Sequence, residues 1–165
     1  MKKSLKMKFK SFAILILISV FLSACKQTAL GYNDVLIGSQ VRISELMDTI
    51  FNENTSPEKI TELRKEIVNT ANLGLSKTLN SKAFDDDSEL KDQAVKYYSF
   101  VSSYFSDENL DSIFYLLNSD ERIEKLDSNR LFNVQRDLNT LSKFEDELKA
   151  AQSKFSEAHK LNLTD

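Results

Sequence analysis

Apolar residues recur at every third or fourth position through most of the chain after residue 31, and this spacing predicts a series of amphipathic helices. The first predicted helix carries its apolar stripe from Tyr32 to Ile50 and ends near residues 52–54. A Thr-Ser-Pro-Glu sequence at 55–58 predicts a second helix start, because Ser or Thr caps free backbone amides and proline suits the first turn. The stripe of this second helix consists of Ile60, Leu63, Ile67, Val68, Ala71, Leu75 and Leu79.

The third predicted helix contains a change of phase. It begins after a polar connection whose last residues, Asp87 and Ser88, are both candidates for its cap. The apolar residues of 90–105 lie nearly half a turn around the helix axis from those of 110–117. A straight helix would expose one of these two sets, so we expect a break, kink or bend at the Ser-Asp-Glu-Asn sequence 106–109.

The apolar stripe of the fourth predicted helix runs from Ile123 to Phe155 and shifts by one residue at 127–129, which indicates a second interruption. Four apolar stripes joined by short polar connections predict an all-α fold, an antiparallel up-down four-helix bundle over residues 32–163. A long coiled-coil dimer is the alternative. The chain has only 3 Gly and 1 Pro, too few for the many tight turns of a β-sandwich or a nucleotide-binding α/β fold.

The segment before the first helix has the layout of a secretory signal peptide. Residues 1–10 contain five lysines and no acidic residue, and residues 11–22 are apolar apart from two serines. This apolar run is shorter than the roughly 20 residues that a helix needs to cross a bilayer. We therefore expect a cleaved signal at 1–24 rather than a permanent membrane span.

The sequence that follows the apolar run resembles the cleavage box of bacterial lipoproteins, which is an aliphatic residue, two small residues and a cysteine. The matching residues are Leu22, Ser23, Ala24 and Cys25. The resemblance implies that Cys25 carries a diacylglycerol thioether and an N-acyl chain, which hold a protein stably on a bilayer. Residues 25–31 would then be a lipidated tether. An ordinary secretory signal with a chance cysteine and an uncleaved anchor are the alternatives.

Removal of the signal changes the charge of the protein. The precursor has 22 basic and 25 acidic residues, and without the five signal lysines the mature chain has 17 against 25, a net charge near −8. Nucleic acid is then not an expected partner, because phosphate binding requires clustered Lys and Arg. In the lipoprotein sorting pattern, Asp after the lipidated cysteine retains a protein in the inner membrane, so Lys26 indicates the outer membrane.

The chain offers little catalytic or metal-binding chemistry. Its only histidine is His159, and a di-iron bundle would need Glu where Ser156 stands, three residues before it. The acidic run at 85–89 lacks the spacing and central glycine of an EF-hand loop and suits a helix start. No Gly-x-Ser-x-Gly nucleophile elbow is present. We expect a protein that is not an enzyme, has no metal and no non-covalent cofactor, with His159 as a surface or capping residue.

Aromatic residues are concentrated between 97 and 105, which most often reflects core packing. The functional alternative is a partly exposed contact patch. Its candidates lie at opposite edges of the apolar arc or beyond the phase change: Tyr98, Phe100, Phe114 and Tyr115. Phe84, in the second connection, is expected to close one end of the bundle.

The mature region is similar to a family of small bacterial surface lipoproteins of unknown function, found in leptospires and Bacteroidetes-type bacteria. The similarity rests on Tyr32-Asn33, Phe84 ahead of Leu90 to Ala94, Phe100, Tyr104, Ala151 to Phe155, and Leu161-Asn162-Leu163. It implies a helical, lipid-anchored envelope protein and supplies no catalytic residue. Three functions follow as hypotheses: an interaction module at the outer membrane or cell surface, a periplasm-facing scaffold subunit of an envelope complex, and a carrier of a small apolar ligand.

Overall fold

The computed structural model of the protein describes residues 28–52 and 54–161, except for the side chain of residue 121. These residues form an all-helical fold whose only β-type pairing is an isolated bridge between Phe84 and Asp87. Five helices and one single turn follow in order: α1 Ala29–Ile50, α2 Pro57–Asn80, α3 Glu89–Phe105, α4 Leu110–Leu117, the turn α5 Asp120–Ile123, and α6 Ser128–Ala158.

Helix α1 begins earlier than the apolar pattern predicts. Thr28 is its N-cap, and the Thr28 hydroxyl accepts a hydrogen bond of 3.0 Å from the backbone N–H of Gly31. Residues 29–31, the last three of the predicted tether 25–31, belong to the first turn of α1. The predicted signal peptide 1–24, Cys25 and residues 162–163 lie outside the described residues. Within the described ranges, no helix is both long and apolar enough to span a membrane.

The predicted start of α2 is confirmed, because the Ser56 hydroxyl accepts from the backbone N–H of Lys59 at 3.3 Å and Pro57 is the first helical residue. At α3 the N-cap position is Ser88, but the side chain that accepts from a backbone amide is that of Asp87. The Asp87 carboxylate accepts from the backbone N–H of Glu89 at 3.0 Å, while the Ser88 hydroxyl donates to Asp92.

Both predicted interruptions are present. Helix α3 ends at Phe105 and α4 begins at Leu110, and in between the Asp107 carboxylate accepts from the backbone N–H of Asn109 at 2.9 Å. The second interruption separates α5 from α6, where Asp127 caps α6 by accepting from two backbone amides. Short polar side chains that bind nearby amides compete with the helix and end it at both places.

The helices pack in a sequence in which α1 contacts α2, α2 contacts α3, and α3 contacts α6, while α4 lies against α2. Side chains also join α1 to α6, through hydrogen bonds from Gln40 to Glu145 and from Gln152 to Asn33. The core contains most of the predicted stripe positions from every long helix. This packing brings the first and last helices of the described chain together.

One predicted stripe position is wrong. Leu79 is 57% exposed, whereas the neighbouring Thr78 is completely buried. The Thr78 hydroxyl donates to the carbonyl of Gly74 one turn earlier. Thr78 can therefore occupy the buried face of α2 without leaving its hydroxyl unpaired. Leu79 is rotated about 100° from that face and points to the flank of α2.

Candidate functional site

Two of the four predicted contact residues are buried, so their assignment to an exposed patch is wrong. Tyr98 has no exposed surface, and its hydroxyl donates a 2.6 Å hydrogen bond to the carbonyl of Leu36 on α1. Phe114 is also fully buried, with its ring 5.2 Å from Phe51 and 5.8 Å from Phe105. The helical angle places Tyr98 at the edge of its stripe and Phe114 beyond the phase change, but neighbouring side chains cover both.

The other two candidates remain partly accessible. Phe100 stacks on Tyr104 with ring centres 5.9 Å apart and lies 5.3 Å from Phe144 of α6, so most of its role is packing between α3 and α6. Tyr115 is half-buried on α4, and the guanidinium carbon of Arg122 lies 4.3 Å from the centre of its ring. Tyr115, like Phe100, therefore keeps only part of its surface accessible.

Phe84 closes one end of the core, as the sequence predicts. Its ring centre is 5.9 Å from those of Tyr32 and Phe155 and 5.0 Å from that of His159. His159 is the C-cap residue of α6 and is mostly buried, with Nδ1 4.0 Å from an Asp85 carboxylate oxygen. The histidine therefore caps and packs at the end of a helix.

The acidic loop beside this cluster is a turn. Asp85 and Asp86 both have left-handed backbone angles, with φ of 48° and 62°, a conformation that Asp tolerates better than most residues. In the part of the chain that the structure describes, no group of three or more His, Cys, Asp or Glu side chains is arranged to hold a metal ion.

Arg64 organises the break between α3 and α4, and sequence reasoning missed it. It is 3% exposed, donates to the Phe105 carbonyl at the end of α3 at 2.9 Å, and binds both carboxylate oxygens of Asp111 in the first turn of α4. The Thr61 hydroxyl donates to the same carboxylate at 2.8 Å. The signal was available, because Arg64 lies on the stripe between Ile60 and Ile67 where only apolar residues are expected.

The break also opens a cleft between the α3–α4 junction and α6, with a volume of about 490 Å³. Its floor is apolar and its rim polar, and the lining includes Tyr104, Asp107, Leu110, Ile113, Arg130 and Asp137. The Tyr104 hydroxyl is buried without a hydrogen-bond partner among the described residues. Burial raises the pKa of this phenol well above its usual value, and the nearby Asp137 and Asp107 carboxylates raise it further. A cleft of this size and mixed polarity is suited to binding a side chain or a small polar molecule.

Among the described residues the most exposed large apolar side chain is Phe132, at 66%, on a different face of α6 from the cleft. It stands on the outer face of α6 beside a shallow groove of about 450 Å³ that is also lined by Gln135, Arg136, Asn139, Thr140 and Lys143. The sequence marks Phe132 as an apolar residue on the polar side of the helix, and that position is the signal from which its exposure could be predicted.

Comparisons of the chain with protein-family models, with curated proteins and with solved structures find no match. The similarity to small surface lipoproteins therefore stays a prediction. The geometry itself defines an all-helical domain in which Phe84 covers one end of the core, while the cleft lies at the other end.

Proposed function

We propose that this protein is a lipid-anchored, non-enzymatic lipoprotein of the bacterial envelope, whose helical domain binds a partner at the outer membrane or cell surface. The observation that carries the proposal is the Leu22-Ser23-Ala24-Cys25 sequence directly after an apolar run of signal-peptide length. Lys26 in the position after the cysteine favours the outer membrane.

The proposed architecture of the domain is an antiparallel four-helix bundle of α1, α2, α3 and α6. Contacting residues on neighbouring helices run in opposite order along the chain, which supports this arrangement. On α1 and α6 the pairs are Asn33 with Gln152 and Gln40 with Glu145. On α3 and α6 the pairs are Glu89 with Lys154 and Phe100 with Phe144.

A binding role suits the surface features at the end of the domain opposite Phe84, where the cleft and Phe132 lie. Phe132 offers an apolar anchor, and the cleft offers carboxylate and guanidinium groups around an apolar floor. Exposed aromatic residues next to polar groups are typical of protein contact surfaces. The partner is accordingly expected to present both an apolar side chain and hydrogen-bonding groups.

Lipidation is tested by mass spectrometry and membrane fractionation of the protein expressed from its full precursor. The wild type is expected to gain the mass of a diacylglyceryl group on Cys25, to lose residues 1–24 and to partition with membranes. Cys25→Ala is expected to carry no lipid and to keep residues 1–24, so the mass and the missing cleavage distinguish it, while its apolar signal still holds it on membranes. Ser23→Ala keeps a small residue in the cleavage box and is the matched control. A wild-type protein that is cut but carries no lipid would contradict the proposal.

The alternative function, a scaffold subunit of an envelope complex, is distinguished by crosslinking of intact cells. A stable stoichiometric partner that copurifies from crosslinked membranes would favour the scaffold. Protease treatment of intact cells then locates the domain: loss of the domain while a periplasmic control protein survives indicates the cell surface.

A carrier of a small apolar ligand would show extra bound mass beyond the acyl chains in native mass spectrometry.

A further inference from the structure

The elements nearest to Cys25 meet at one end of the domain. The first turn of α1, the connection between α2 and α3, and the C-terminus of α6 are joined there by the contacts of Phe84 with Tyr32 and His159. We call the surface formed by residues 28–30, 81–88 and 158–161 the anchor-side end. The far end lies at the other terminus of α1, where Asn118 donates to the Ile50 carbonyl at 2.6 Å.

Chain length restricts how far the anchor-side end can move from the membrane. Only three residues separate Cys25 from Ala29, the first residue of α1. Four residue steps of at most ~3.5 Å each allow a distance of about 14 Å, even when fully extended. Helix α1 has 22 residues, so its far terminus lies roughly 33 Å from its start.

Resting on the proposed lipid anchor, we propose that the anchor-side end faces the lipid bilayer and that the far end, residues 106–127, points away from it. The start of α1 lies within about 14 Å of the lipidated Cys25 in every orientation of the domain. The far end comes equally close only when α1 lies along the surface. Leu30, which is 49% exposed in the first turn of α1, is an apolar side chain that this end presents to the lipid. The cleft and Phe132 are then presented to partners.

Charge indicates the class of lipid surface that this end tolerates. The exposed Asp85 and Asp86, with the half-buried Asp87, form an acidic turn flanked by Lys82 and Lys160. The three carboxylates exceed the two lysines by one, so an anionic surface would repel this end weakly, whereas zwitterionic headgroups carry no net charge. The proposed contact is therefore with a zwitterionic bilayer.

The orientation is tested with two matched variants, Lys82→Cys at the anchor-side end and Lys125→Cys at the far end. Both lysines are exposed, neither is in a described salt bridge or side-chain hydrogen bond, and the chain has no cysteine besides Cys25. Each variant is expressed from the full precursor, purified, labelled with a maleimide fluorophore and reconstituted into phosphatidylcholine vesicles. A nitroxide quencher attached to the lipid headgroup then reports the proximity of each fluorophore to the bilayer.

We expect the fluorophore at position 82 to be quenched several-fold more strongly than the one at position 125. Equal quenching of the two in vesicles that retain the protein would overturn the orientation while leaving the lipid anchor intact. Stronger quenching at position 125 would overturn it as well. Protein that does not float with the vesicles would instead contradict the anchor itself. Weaker quenching at position 82 in phosphatidylcholine than in vesicles enriched in phosphatidylglycerol would contradict the zwitterionic preference.

Discussion

Gly74 and Gly38 both lie inside helices, yet their surroundings differ. A Cβ atom at Gly74 would come within 2.8 Å of the Tyr98 ring and 2.9 Å of the Ser39 Cβ, whereas one at Gly38 would meet nothing within 4 Å. The missing side chain of Gly74 is what lets α1, α2 and α3 approach closely enough for Tyr98 to reach Leu36. Helix propensity alone would favour alanine at both positions.

We expect Gly74→Ala to lower the free energy of unfolding by about 1–3 kcal/mol, because overpacking forces the Tyr98 ring to move. Gly38→Ala is the matched control and is expected to raise it by up to about 1 kcal/mol through helix propensity. Equilibrium urea unfolding followed by circular dichroism measures both changes. Equal effects of the two substitutions would contradict the close approach at Gly74.

Tyr97 and Tyr98 form a second matched pair, since both are fully buried and adjacent in sequence. Tyr98→Phe removes a hydrogen bond to the Leu36 carbonyl and is expected to cost about 1 kcal/mol. The Tyr97 hydroxyl has no hydrogen-bond partner among the described residues, so Tyr97→Phe is expected to be neutral or stabilising. Urea midpoints of the two variants compare them directly. Destabilisation by Tyr97→Phe as large as that by Tyr98→Phe would contradict the difference in hydrogen bonding.

At the scale of elements, the junction of α3 and α4 depends on a side chain from a third helix. Arg64 of α2 satisfies the last carbonyl of α3 and the Asp111 carboxylate at the start of α4. The local sequence at 106–109 ends one helix and starts the next, and this buried guanidinium binds both helices to α2. The planar fork of arginine can bind two acceptors at once, which a lysine ammonium on a flexible stem does less well.

Arg64→Met is expected to lower the free energy of unfolding by about 3 kcal/mol, because it leaves a largely buried carboxylate and a carbonyl without their partner. Arg42→Met is the control, since Arg42 forms ion pairs with Glu45 and Glu66 at an exposed site, where solvent screening leaves such pairs little net effect on stability. Thermal and urea unfolding measure both. An Arg64 variant no less stable than the Arg42 variant would contradict a structural role of the buried pair.

For the whole molecule, packing of tyrosines between helices links stability to alkaline pH. Burial raises the pKa of Tyr97, Tyr98 and Tyr104 above the ordinary value of 10.0. Above that pH the unfolded chain releases these protons while the folded chain retains them, so unfolding becomes easier as the pH rises. The stability contributed by the protonated phenols is complete below pH 10 and is lost above it.

We expect the free energy of unfolding to fall above pH 10 by roughly 1.4 kcal/mol per pH unit for each of these tyrosines. Tyrosinate absorbance and circular dichroism should change together in an alkaline titration, because ionisation of the three phenols requires the helices to separate. A variant with Tyr97→Phe and Tyr104→Phe is expected to show a shallower pH dependence. Ionisation of all tyrosines with helicity unchanged would contradict the burial of these hydroxyls.

The all-helical fold, the start of α2 at Ser56-Pro57 and the two interruptions could all be predicted from the sequence. Periodicity and capping are local properties of a few neighbouring residues, so no knowledge of the packing is needed for them. It also located Phe84 as the residue that closes one end. Tertiary structure alone decided which edges of each stripe are covered, and so buried Tyr98 and Phe114. It likewise placed Arg64 at the break and shaped the cleft around Tyr104. These features depend on contacts between residues that are far apart in the chain. The apolar periodicity of a single helix does not specify the distances and angles between helices.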